Sequence, residues 1–168
     1  MDTGLAVLHI VVGLLFVGHG AQKLFGAFGG HGLEGTAGFF ESLGFRPGRF
    51  HAFAAGVNEF AGGALLALGL LVPLAAALII ATMLAASLTA HAGKGIWNQN
   101  SGIELPLVYG TIAFALTAVG AGDASLDSAL GLDVHGLGWA IAALAAGALG
   151  GLGAVASGRL TGTEPVTG

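Results

Sequence analysis

Apolar residues run along this chain in five long stretches, about 4–24, 52–71, 74–91, 104–121 and 137–156, and most of the charged residues fall between them. Such runs, roughly 17–21 residues each, match the length a helix needs to cross a hydrocarbon core about 30 Å thick. The pattern predicts an all-α membrane protein whose 168 residues form one transmembrane domain. Leu71-Val72-Pro73-Leu74 joins the second and third runs. Pro73 suits the first turn of the third helix, so these two should form a tight antiparallel hairpin. Pro106 suits the start of the fourth in the same way. The third and fourth runs are the shortest, which leaves counts of three or four spans open.

The connection from 26 to 50 has a pattern of its own. Leu33, Ala37, Phe40 and Leu43–Gly44 follow helical spacing with Phe39 flanking them, while Glu34, Glu41 and Ser42 face the other way. Gly44 offers a C-terminal stop and Pro47 prevents continuation. The segment reads as a short helix lying in the cytoplasmic interface, either a spacer resting on the membrane or a gate over a site beneath it. No internal repeat or soluble second domain is visible, and residues 157–168, rich in Gly and Thr, read as a disordered tail.

Composition supports the membrane reading. Hydrophobic residues are 55% of the chain and charged residues 8%, where a soluble domain carries about 25% charged residues. Lipid requires no charged covering, and the 32 glycines that would weaken soluble helices permit close backbone approach between membrane helices. With no cysteine in the chain, disulfides, thiolate metal sites and cysteine redox chemistry are excluded for the chain itself. A redox role would act through a partner or a bound cofactor. The net charge of −4 gives no reason to expect nucleic acid. The first run follows Met1-Asp2 without a basic segment and is expected to remain in the protein rather than be cleaved as a leader.

Charge also orients the bundle. With five spans, Lys23, Arg46, Arg49, Lys94 and Arg159 all fall on one side, and Asp2, Asp123, Asp127 and Asp133 on the other with no Lys or Arg. The positive-inside rule then predicts a multi-pass protein of the cell membrane, N-terminus outside and C-terminus in the cytoplasm.

Polar residues inside the runs need a reason. A charge at the centre of a membrane helix costs about 2.5–3.5 kcal/mol on insertion scales. Glu59 lies roughly two turns into the second run and is too short to reach the interface, so it should pair with a cation or be protonated. On the first run His19 and Lys23 are four residues apart and share a face, with Gln22 beside them. Antiparallel packing of the first two spans would bring this group against Asn58 and Glu59. His91 sits with Asn98, Gln99, Asn100 and Glu104 at the same end of spans three and four. His19, Gln22, Lys23, Asn58, Glu59 and His91 are therefore the candidates for a ligand or proton site. The competing reading is a structural lock: a Glu59–Lys23 pair that fixes helix orientation, Lys23 reaching the headgroups, His91 at the interface and Asn58 as interhelical glue.

His9 belongs nearer the outer face. It is ten residues from His19, about 15 Å along one helix, too far to share a metal ion with it. No metal site is expected. The chain has no HExxH, nucleotide loop or catalytic triad spacing, so no catalytic residue is assigned. Trp97 and Trp139 read as interfacial anchors.

Two segments resemble the DoxX-like family of small integral membrane proteins. Gly13-Leu-Leu-Phe-Val-Gly-His19-Gly20-Ala-Gln-Lys23-Leu-Phe-Gly26 is similar to the family's first helix, which ends in a HG–K pattern. Glu59-Phe-Ala-Gly62-Gly63-Ala-Leu-Leu-Ala-Leu-Gly69-Leu-Leu-Val-Pro73 is similar to its glutamate-glycine helix and hairpin. Gly120-Ala-Gly122-Asp-Ala-Ser125-Leu126-Asp127 is a weaker third match. The resemblance implies a four-helix transmembrane core, to which this chain adds a fifth C-terminal span. It also implies company in quinone-linked sulfur oxidation, or in a membrane oxidoreductase complex with superoxide dismutase and a sulfurtransferase. The expected function is a membrane subunit or anchor of a redox system rather than a stand-alone enzyme. Quinone is its candidate cofactor, contacted near Glu59, His19 and Lys23. Its expected partners are the lipid bilayer, redox proteins and further copies of the chain. The alternative is a small permease or a membrane assembly or scaffold protein without redox chemistry.

Overall fold

The structure, a computed structural model, describes residues 2–161, and the regular elements among them are all helical. In order they are α1 (Asp2–Phe25), α2 (Gly32–Ser42), α3 (Gly48–Leu68), α4 (Val72–Leu88), α5 (Glu104–Val119), α6 (Leu126–Ala129) and α7 (Leu137–Thr161), with short 3-10 turns at Ala27–Gly29 and Asn98–Asn100. Each of the five apolar runs is helical. α7 continues to Thr161, so residues 157–161 are helix where the Gly/Thr content suggested tail. Residues 162–168 of that expected tail lie outside the described residues.

Two helical segments among the described residues are long and apolar enough to cross a membrane, Thr3–Phe25 and Leu137–Gly158. Val72–Leu88 and Glu104–Val119 are apolar but shorter. The 17 residues of α4 rise about 25 Å. His51, Asn58 and Glu59 lower the apolar character of α3. The outward faces of α1 and α7 are apolar and exposed, through Leu8, Val11, Leu14 and Leu15 on one and Ile141, Leu144, Leu149 and Leu152 on the other. Water would penalise such surfaces and lipid solvates them.

Small residues decide how the helices meet. A methyl group added at Gly13 would lie 2.4 Å from the Ala67 nitrogen, and one at Gly63 would lie 2.6 Å from the Gly13 carbonyl oxygen. Gly20 stands in the same relation to Gly56 and Phe60. As the number rises on α1 it falls on α3, so the two helices run antiparallel with their backbones in contact. α7 packs closely on α4 as well, but parallel to it, since the numbers rise together: a methyl at Gly147 would meet the Ile80 Cβ at 2.8 Å, and one at Gly151 the Ala81 carbonyl oxygen at 2.7 Å. The shared core gathers Val12 and Phe16 of α1, Leu66 of α3, Val72, Ala75, Ala76 and Ile79 of α4, Ala113 and Leu116 of α5 and Ala143 of α7. α1 and α5 meet sparsely, with the Phe16 and Tyr109 rings edge to face at 5.2 Å.

The segment before α3 is built by local chemistry. Thr36 and Ala37 of α2 are buried, while Glu34, Glu41 and Ser42 are exposed. Gly44 takes φ +90°. The Gly44 amide donates to the Glu41 carbonyl and the Phe45 amide to the Phe40 carbonyl, both at 3.0 Å. This is the Schellman termination, completed by the Phe40 and Phe45 rings at 5.3 Å. The chain then turns at Pro47 and enters α3, against which α2 packs.

Candidate functional site

The antiparallel seam brings the end of α1 beside the start of α3. Gly20 and Gly56 remove side-chain bulk where Lys23 and Glu59 approach, and the Lys23 ammonium donates to Glu59 Oε2. The Glu59 side chain is 5% exposed and that of Lys23 26%, so the carboxylate is enclosed while the lysine stem reaches the surface. In a low-dielectric setting an unpaired carboxylate is costly, and this pairing neutralises both groups. Two of the six polar candidates, Lys23 and Glu59, are thus in one place.

The other candidates have separate surroundings. Gln22 turns to the chain leaving α1, where its Nε2 donates to the Phe28 carbonyl at 3.4 Å. His19 is exposed and contacts the Phe16 ring edge-on at 6.4 Å. Asn58, one residue before Glu59, is half-buried. His91 belongs to the loop between α4 and α5: its Nδ1 lies 2.6 Å from the Ser101 carbonyl oxygen. At the start of α5 the Glu104 carboxylate accepts from the Asn98 amide of that loop at 2.8 Å. All six candidates lie toward the end of the bundle where α1 finishes and α3 begins. Among them the direct side-chain pairing is Lys23 with Glu59.

A second polar group lies at the opposite end, where α3 turns into α4. Asp127, 4% exposed, accepts the Leu71 amide on Oδ1 at 2.8 Å and the Val72 amide on Oδ2 at 3.2 Å. These are first-turn donors of α4 that have no partner within the helix. The Asp127 amide in turn donates to the Gly69 carbonyl at 2.9 Å. Ser125 Oγ accepts the Ser128 amide at 3.2 Å and so caps α6, which carries Asp127. His9, 2% exposed, packs near this group with Nδ1 3.0 Å from the Leu66 carbonyl oxygen. Sequence reasoning placed His9 away from the Glu59 group but did not connect it with Asp127. The Ser-Leu-Asp stretch was the available signal. Its target, a pair of amides 55 and 56 residues earlier, leaves no mark in local spacing.

A cavity of about 390 Å³ opens at this second end, with Gly120, Ser125, Asp127, Asp133 and His135 in its wall. A smaller space of about 260 Å³ lies between Phe45, Leu88, Thr89, Val155 and Gly158. Neither is lined by Lys23 or Glu59. Among the described residues, no three His, Asp or Glu side chains gather where they could hold a metal ion.

Comparison with known proteins connects these elements to a family. The family model described as DoxX matches residues 4–92, which contain both α1 with Lys23 and α3 with Glu59. A Bacillus subtilis (strain 168) protein named "Putative oxidoreductase CatD" is 29% identical over 116 residues, covering 69% of this chain and 80% of that protein. No solved structure matches the chain.

Proposed function

The chain belongs to the DoxX family, and on that premise we propose that it is a membrane subunit or anchor of a redox system, with a quinone as its lipid-soluble ligand. The observation that carries this reading is the enclosed Lys23–Glu59 pair on the seam between α1 and α3. Ionisable groups inside a membrane bundle mark ion, proton or ligand sites by default, because insertion penalises them. The oxidoreductase in the name of the Bacillus relative supports redox work over transport. In this reading the protein crosses the cell membrane five times, as a four-helix core with α7 added, N-terminus outside and C-terminus in the cytoplasm. Electrons come from redox partner proteins, and copies of the chain associate through the exposed apolar faces.

The donor set suits such a ligand. Lys23 and Gln22 supply N–H groups for carbonyl oxygens, Glu59 is a carboxylate that can take or release a proton, and His19 stands exposed one turn before Lys23. Phe25 and Phe60, exposed with ring centroids 6.0 Å apart, offer an apolar surface beside them. A bound quinone would supply carriage of two electrons and two protons. The chain's residues would orient it at the bundle surface and manage the proton at Glu59.

The test is purification in mild detergent, followed by identification of lipid-soluble molecules and proteins that accompany the chain. Quinone and redox partners are expected with the wild type. Glu59→Gln, which keeps shape but removes the titratable proton, should abolish quinone-linked turnover in a protein that still inserts. Recovery of neither quinone nor redox partner would overturn the reading. One observation favours a second reading, a permease or scaffold in which the pair is a lock: Lys23 and Glu59 satisfy each other, and neither cavity reaches them. Full function in the Lys23→Leu/Glu59→Leu double variant would select it.

A further inference from the structure

His9 has a bonding pattern that the Lys23–Glu59 pair does not explain. Its Nδ1 faces the Leu66 carbonyl oxygen at 3.0 Å. A carbonyl only accepts, so Nδ1 carries the proton, and in the neutral ring Nε2 is left as a bare lone pair. That Nε2 is buried without a hydrogen-bond partner among the described residues. Leu66 stands one turn before Gly69, whose carbonyl accepts the Asp127 amide at 2.9 Å, so the ring lies at the end of the bundle that holds Asp127. Asp127 and Gly120 form part of the wall of the 390 Å³ cavity, which opens at the same end of the bundle. A buried orphan acceptor is costly, and native proteins retain one where something fills it.

We propose that His9 is a proton-accepting site served from the cavity at the α3–α4 turn: a proton arriving by water past Asp127 binds Nε2. The N–H bond forms at Nε2 as an O–H bond of a protonated water breaks, and the new positive charge lies at the end of the bundle that carries the Asp127 carboxylate. The doubly protonated ring then donates from Nδ1 to the Leu66 carbonyl and carries its second N–H on Nε2.

The charges facing this site are few. Along α1 the neighbouring ionisable residues are Asp2, seven residues before His9, and the exposed His19, ten residues after it; Lys23 is fourteen residues or about 21 Å along the helix. On α3 the next ionisable group is Glu59, two turns beyond Leu66 and paired with Lys23. Beyond α5, Asp127 is held by the Leu71 and Val72 amides. Asp133 and His135 pair with each other at 3.1 Å on the exposed rim, and Asp123 is exposed. The site is thus independent of the redox reading and stands or falls without it.

Nitrogen-15 NMR of histidine-labelled protein in lipid nanodiscs tests it, with His9 assigned by comparison with His9→Gln. Over about pH 8 to 5, the window in which histidine charges, the His9 ring should start with its proton on Nδ1. It should then gain a second on Nε2 while the protein stays folded. Asp127→Asn should move that step to lower pH. Because the chain has no cysteine, access can be read separately with a hydrophilic, membrane-impermeant thiol reagent. His9→Cys should be modified much faster than the core control Ala76→Cys. A His9 ring that keeps one proton across the range, or a His9→Cys thiol as inert as the control, overturns the proposal.

Discussion

Gly20 of α1 lies directly on the backbone of α3 at Gly56: a methyl group on Gly20 would stand 2.7 Å from the Gly56 carbonyl oxygen. Backbone cannot move aside as a flexible side chain can. Seven residues away on each helix, Gly13 and Gly63 repeat the relationship. These approaches set the spacing at which Lys23 can reach Glu59.

Gly20→Ala and Gly63→Ala should therefore each destabilise the bundle by about 1–3 kcal/mol, the usual cost of overpacking. Gly18→Ala, where an added methyl meets nothing within 4 Å, should be neutral or slightly stabilising. Thermal unfolding of the three variants in the same detergent checks the contrast. Equal loss in all three would mean that the seam is not the determinant.

Lys23→Leu leaves the Glu59 carboxylate enclosed without its cation. Breaking a buried pair on one side costs about 3–5 kcal/mol, and the partial exposure of Lys23 places this case at or below the lower end. Adding Glu59→Leu should restore most of that loss. A double-mutant cycle on unfolding free energy measures it, and purely additive losses would argue against coupling.

Asp127→Ala removes the acceptor for two first-turn amides of α4 and should cost about 1–2 kcal/mol, as other lost caps do. Asp127→Asn keeps one oxygen acceptor and should lose less. Hydrogen exchange at the Leu71 and Val72 amides is the sharper readout: both should exchange faster in Asp127→Ala, with the amides of α1 little changed.

Reporter fusions after Gly26, Gly95 and Arg159 should score cytoplasmic, and one after Asp127 external. An external score at Arg159 would exclude five spans.

Much of the helical architecture was readable because it is local. An apolar run in lipid has to satisfy its own backbone hydrogen bonds, and a helix does so within the run. The end of α2 was equally local: Gly44 reaches φ +90° at no steric cost, and the Schellman bonds it permits lie within six residues. The Lys23–Glu59 pair was reachable by depth counting, since two opposite charges at one level of adjacent antiparallel helices have few other partners. Depth counting also grouped His19, Gln22, Asn58 and His91 with them. It fixes height along the bundle but not angle around each helix, and His19, Gln22 and His91 have other surroundings.

By itself, the order of residues determined where helices form, where α2 stops and which charge needed a counterion, because those outcomes depend on neighbours within a few turns. Tertiary structure alone decided which glycines among the 32 carry helix contacts, that Asp127 would cap a helix begun more than fifty residues earlier, and that His9 would face Leu66 and leave Nε2 bare. Those depend on the angle at which separate helices meet. That angle is set by close packing summed over many contacts, and no single stretch of sequence contains it.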